Sequence, residues 1–207
     1  MNHFTSEPAS PLRTQVLAPG ITVVSFPAAN RIEYHLTARL RGNGDLHAVG
    51  TGLAAFLQQH QARIVSVDVF GMNARYAHPL LDDMLDGIPC PVTWVEEGCE
   101  HPNPVGGIQI WAVSGPAVTE LHVDGQSAGM IFEDDYARYC RVGGLTSSDP
   151  GLSREEQARE VFTRMVQALK AAGMDFSQVV RTWYYNDHLL DWYGPFNGVR
   201  NAFFKEH

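Results

Sequence analysis

The chain has 207 residues, with 15 Lys+Arg against 23 Asp+Glu, a net charge of −8 and three cysteines. That length admits one large domain or two small ones, and 44% hydrophobic with 18% charged residues is a globular rather than a disordered composition. The acidic balance disfavours a nucleic-acid surface, and no apolar run approaches the ~20 residues of a membrane helix.

The first 20 residues, with Pro8, Pro11 and Pro19, read as a polar N-terminal arm without the basic-then-apolar order of a secretory signal. Ile21–Phe26 and Arg31–Leu40 alternate or run apolar over strand lengths. Gly42-Asn43-Gly44 breaks the pattern, and Asp45 can cap a helix whose Leu46, Val49, Leu53, Phe56 and Leu57 form one apolar stripe. Gly50 and Gly52 weaken that helix. Arg63–Gly71 is β-branched and apolar on alternate positions, a strand. A short helix around His78–Leu85 stops at Gly87 and Pro89. Pro91–Glu97 and Gly106–Gly115 follow as strands, separated by a turn-rich stretch.

After Pro116 the order begins again. Val118–Val123 and Ala128–Leu145 supply strands, with turns at Gly125 and Asp134-Asp135. Ser153 and Glu156 make a capping box for a helix carrying Ala158, Val161, Phe162, Met165, Val166 and Leu169 on one face, and Gly173 supplies its stop. Gln178–Asn186 is predicted as a strand, and a last helix carries Trp192, Phe196, Val199 and Phe203. The halves repeat one element order, and the second lacks the two closing strands of the first. The expected organisation is an arm (1–20), a first unit (21–115) and an incomplete second unit (116–207).

The stretches ARYCRVGGLTSSDP (137–150), EEQAREVFTRMVQALKAAGMDFSQVVRTWYYNDHLLDW (155–192) and FNGVRNAFF (196–204) resemble the Rid/YjgF (RidA-like) family, most strongly over Leu169–Tyr185. The first half looks like a degenerate copy, and tandem Rid-like halves also occur in chorismatases, which hydrolyse chorismate. The resemblance implies an α+β fold of two tandem chorismate-mutase-like units, a mixed sheet with helices on one face, the second unit lacking its last two strands. It implies a cytoplasmic homo-oligomer, trimer-like or pseudo-trimeric, without a cofactor. The implied activity is a hydrolase reaction, enamine/imine deamination of a small carboxylate-bearing molecule.

Gly143, with Gly144 beside it, matches the family's ligand-facing glycine, and Asn197 matches its helix asparagine. These three are the expected substrate-binding residues. The family's carboxylate-binding arginine and water-placing glutamate belong to strands beyond the position of His207. In the first half Cys90 or Pro91 stands at the arginine's place and Gln109 and Trp111 near the glutamate's. Leu80, Leu81 and Asp82 replace the asparagine. No catalytic residue is therefore assigned, and turnover is expected to be impaired. The alternatives are a chorismatase-like hydrolase and a non-catalytic binding or assembly module.

Other residues read more plainly. Cys90 and Cys99 near Glu96, Glu97, Glu100 and His101 lack the spacing of a metal site, so no metal is expected. An odd cysteine count without CxxC suits reduced thiols. Arg181 and Arg200 read as solvated charges, and His188, beside Asp187, as a turn residue. Trp183, Tyr184, Tyr185, Trp192 and Tyr193 read as core and interface aromatics.

Overall fold

The structure, a computed structural model, describes residues 13–18, 20–28, 30–40, 43–71, 74–96 and 105–207. Strands β1 (Arg13–Ala18), β2 (Ile21–Pro27) and β3 (Ile32–Arg39) precede helix α1 (Asn43–His60), β4 (Arg63–Gly71) and α2 (Ala74–Leu85). Strands β5 (Val92–Glu96) and β6 (Val105–Ser114) follow, and then β7 (Val118–Val123), β8 (Gln126–Glu133) and β9 (Arg138–Val142). Helices α3 (Arg154–Ala171) and α4 (Leu189–Glu206) end the series.

Six strands form one sheet in the order β1-β2-β3-β6-β4-β5, and three form a second in the order β7-β8-β9. All pairings are antiparallel except that of β4 with β5. The mixed α+β class is therefore as expected, and the central β4 explains it. Val67 and Val69 are wholly buried on the face that the helices cover, and the small sheet covers the opposite face, where Ser66 is also buried. On the helix side Tyr34 meets Phe56 of α1 edge to face at 5.0 Å. On the opposite side Trp111 meets Phe132 of β8 at 5.8 Å. Residues that alternate along β3 and β6 thus pack on opposite faces of the sheet.

The α1 stripe is buried as the spacing predicts. Gly50, which costs helix propensity, is the point of contact with α2. A Cβ there would lie 3.0 Å from the Met84 carbonyl oxygen. The small sheet packs Met130 and Phe132 against the large one, and turns Ile131, Cys140 and Val142 toward Ala168 of α3 and Ala172, which caps it. The capping box forms as read: Ser153 Oγ accepts from the Glu156 amide at 3.3 Å, and the Ser153 amide donates to Glu156 Oε2 at 2.9 Å.

Two expectations are corrected. The polar arm contains strand β1, which the antiparallel edge of β2 recruits despite its weak pattern; the rest of the arm through residue 12 lies outside the described residues. Gln178–Asn186 is not a strand. Phe176–Gln178 is a 3-10 turn, and residues 179–186 join no sheet. The segment alternates as a strand would: Thr182, Tyr184 and Asn186 are half-buried, whereas Arg181, Trp183 and Tyr185 are exposed. A strand is completed by its neighbours' hydrogen bonds, and none of the described strands runs alongside it.

Candidate functional site

The seam between the two sheets brings together the chemistry-bearing residues. The pairings of β4 with β6 and β5 put Ser66, Asp68, Thr93, Gln109 and Trp111 on the face turned toward the small sheet. Asp68 there meets Arg141 of β9 at 3.6 Å. At the far end, Arg31 pairs with Glu33 at 2.8 Å and with Asp134, and lies 4.8 Å over the Tyr139 ring.

Gly143 and Gly144 lie on this seam, against β5. The Gly144 amide donates to Thr93 Oγ1 at 3.1 Å. Gly144 has φ +69°, and a Cβ on it would fall 2.5 Å from the Val92 carbonyl oxygen. A Cβ on Gly143 would lie 3.1 Å from Thr93 Oγ1. Both glycines therefore allow close backbone approach to β5, a structural duty that accounts for them without a ligand. Asn197 sits elsewhere, on α4 beside Phe196. Its chain neighbour Phe196 belongs to the hydrophobic cluster of Phe162, Trp192, Phe196 and Val199, and its Oδ1 is sealed from solvent without a hydrogen-bond partner. The three expected binding residues thus occupy two different environments.

The loop that follows Gly144 is fixed by a single carboxylate. Glu160 accepts from Ser147 Oγ and Ser148 Oγ, each at 2.5 Å, and from the Ser148 amide at 3.0 Å. Those hydrogen bonds to Ser147 and Ser148 hold its pKa down to about 2. Arg164, on the next turn of α3, donates to the Thr146 carbonyl at 3.2 Å.

Nucleophilic chemistry finds little support in the described cysteines. Burial, with the charge of Glu120 added, pushes the Cys90 thiol up to about 12, and burial also raises Cys140. Cys99, Glu100 and His101 lie outside the described residues, and no group of three metal-binding side chains occurs among those described. Arg181 lies 5.6 Å over Trp183, exposed. His188, at φ +44°, opens α4 and contacts Asp187 at 2.5 Å, both well exposed. This is the turn position read from the sequence.

Sequence reasoning missed a cleft of about 330 Å³ between the end of α2, the loop into β5, and the β7–β8 hairpin. Glu120 and Ser127 come from the hairpin, and Asp82 and Cys90 from the α2–β5 side. The available signal was Glu120 itself. It shares a strand face with Val118, the face that pairs Met130 and Phe132 and turns to the large sheet, so it is a charge at an inward position.

No protein-family model matches the chain, and no curated protein matches it in sequence. Among solved structures, a chorismatase superposes with a TM-score of 0.61 at 11% identity, covering 93% of this chain and 71% of its own. A putative translation initiation inhibitor from Salmonella typhimurium gives a TM-score of 0.30 at 19% identity, covering 44% of this chain and 87% of its own. Among the described residues no helix is long and apolar enough to cross a membrane. The chain has a fold similar to that of chorismatase.

Proposed function

We propose that the protein is a Rid/chorismatase-type hydrolase of the enamine/imine deaminase kind. It acts on a small carboxylate-bearing molecule, and its turnover is impaired in the 207-residue chain. The observation that carries this reading is the condition of residues 179–186. In the large sheet the strand after α1, β4, lies between antiparallel β6 and parallel β5, both later in sequence. The segment after α3 has the same place in the second series of elements, and no described strand flanks it. Two tandem units, the second short of its closing strands, account for that difference.

The chemistry follows from what those strands carry in the resembled family. Hydrolysing an imine requires an oriented substrate carboxylate, which a bidentate guanidinium provides better than other groups. It also requires a placed acceptor for the proton of water. Among the described residues the arginines near the seam are already paired: Arg31 with Glu33 and Asp134, Arg141 with Asp68, and Arg164 with Asp124 and the Thr146 carbonyl. The family resemblance assigns substrate contacts to Gly143, Gly144 and Asn197, which within one chain occupy two separate environments. Exposed Val180, Trp183, Tyr185 and Leu190 are apolar surface that self-assembly would cover, in keeping with a homo-oligomer.

The test is ammonia release from an imine made in situ from an amino acid. It compares the 207-residue chain with one extended by two strands, the first bearing an arginine and the second a glutamate. The reading predicts turnover above buffer for the extended chain only; buffer rates for both overturn the enzymatic part. A second reading, a chorismatase-like hydrolase, is favoured by the 93% coverage of the chain in the structural match. Pyruvate release from chorismate by the same extended chain separates the two.

A further inference from the structure

Residues 180–186 (VRTWYYN) leave both edges of their backbone open. Among the described residues none of their amides or carbonyls bonds to another backbone group, whereas Val179 just before them donates to the Phe176 carbonyl. One side of the segment is fixed: Tyr184 packs on Phe162 of α3 at 5.5 Å and on Phe196 of α4 at 5.6 Å. The other side carries Arg181, Trp183 and Tyr185, all exposed, with the Arg181 guanidinium 5.6 Å over the Trp183 ring. Two helices thus anchor a strand-like segment whose hydrogen-bonding groups are left to water. An extended chain added there gains a ladder on a template that is already ordered.

Composition decides which strand fits. The segment is aromatic and β-branched, has no Pro or Gly, and carries one charge, Arg181. Parallel, in-register pairing with a second copy would set Arg181 against Arg181. Antiparallel pairing that overlaps all of 180–186 is centred on Trp183: it sets Trp183 against its own copy and Arg181 against Tyr185. On the exposed face that register extends the Arg181–Trp183 contact into a row of alternating cations and rings. The nearest acid, Asp187, falls opposite Val179, so no like charges meet. An unrelated strand would bring hydrogen bonds alone, whereas a second copy also brings the matching side chains. We infer that a second copy of this chain pairs antiparallel with residues 180–186, with Trp183 on the two-fold axis. The contact is isologous and therefore closes as a dimer. This dimer specifies the homo-oligomer of the reading above and rests on that part of it alone; pairing neither requires nor supplies hydrolysis.

The test is light scattering and native mass spectrometry of the 207-residue chain, with cysteine cross-linking to read the register. A dimer in exchange with monomer is expected within about 1–100 μM. Under mild oxidation Trp183→Cys should cross-link to its own copy, because directly opposed Cβ atoms lie about 4.5–5.5 Å apart. Arg181→Cys and Tyr185→Cys should each stay uncrosslinked alone and cross-link when mixed. Lys170→Cys, exposed on α3, should not cross-link, and the parent with its native cysteines is the blank. Adjacent amides of a strand point to opposite edges, so at least one of Thr182→Pro and Trp183→Pro should abolish the dimer. A dimer that survives both proline changes overturns the inference, as does cross-linking of Arg181→Cys to its own copy. A trimer without the Trp183→Cys cross-link overturns the two-fold contact yet keeps the homo-oligomer, whereas a monomer at about 100 μM overturns both. The cysteine variants keep the test decisive if the proline variants fold poorly.

Discussion

The Arg31 guanidinium, on the β2–β3 hairpin, meets the Asp134 carboxylate of the β8–β9 turn across the seam between the sheets, with 14% and 1% of their side chains exposed. Tyr139 joins both, accepting from Arg31 at 3.2 Å and donating to Asp134 at 3.3 Å. Asp134 also accepts from the amides of Tyr136 and Ala137, each at 2.9 Å. Removing one partner leaves a buried charge, which generally costs about 3–5 kcal/mol. Because Asp134 keeps its two amide donors, Arg31→Met is expected at the lower end of that range. Arg31→Met with Asp134→Asn should be less destabilising than the two single changes summed. Urea denaturation of the four proteins measures the coupling, and strict additivity would count against a paired latch.

Gly144 holds β9 against β5. Gly144→Ala places a side chain at φ +69° and 2.5 Å from the Val92 carbonyl oxygen. The left-handed backbone alone should cost about 1–2 kcal/mol, before the clash is counted. Thr93→Val removes the acceptor of the Gly144 amide for about 1 kcal/mol, and Thr93→Ser should restore it. Thermal unfolding ranks the three. A Gly144→Ala protein as stable as the parent would mean that the backbone there is free to move.

Glu160 makes the loop at Ser147 and Ser148 sensitive to acid. Its hydrogen bonds to those serines lower the folded-state pKa from 4.5 to about 2, so their contribution is complete above pH 4.5 and is lost as pH falls toward 2. Parent and Glu160→Gln should therefore differ in melting temperature at neutral pH and converge near pH 2. A difference independent of pH would assign the effect to packing.

Cys90 should resist alkylation in the folded chain. Raising its pKa from 9.0 to about 12 reduces the thiolate fraction roughly a thousandfold, and burial slows access further. Mass spectrometry after iodoacetamide treatment, native against denatured, reads this directly. Fast native labelling of Cys90 would show that the cleft opens widely.

Much of the architecture was legible because periodicity reports burial. The Leu46-to-Leu57 stripe, the alternation in Arg63–Gly71 and the Ser153–Glu156 box each depend on residues close in sequence. The failures depend on partners far away. Strand β1 carries little pattern of its own and forms because β2 offers an edge. Residues 179–186 carry a strong strand pattern, yet pairing is a property of neighbours. For the site, the Gly143-Gly144 motif could be found by eye, but its contact with Thr93 joins residues that only the tertiary fold brings together. Glu120 was visible as a charge in VTELHV. That it faces Cys90 and Ser127 required knowing which face of β7 turns inward.

The central claim, that residues 179–186 form no strand because no described strand flanks them, is tested most directly by amide hydrogen exchange on the 207-residue protein. In a sample shown by light scattering to be monomeric, the amides of 179–186 should exchange nearly as fast as an unstructured peptide. Those of Val65, Val67 and Val69 in β4 should exchange only through global unfolding. Protection of 179–186 equal to that of β4 in the monomer would contradict the account.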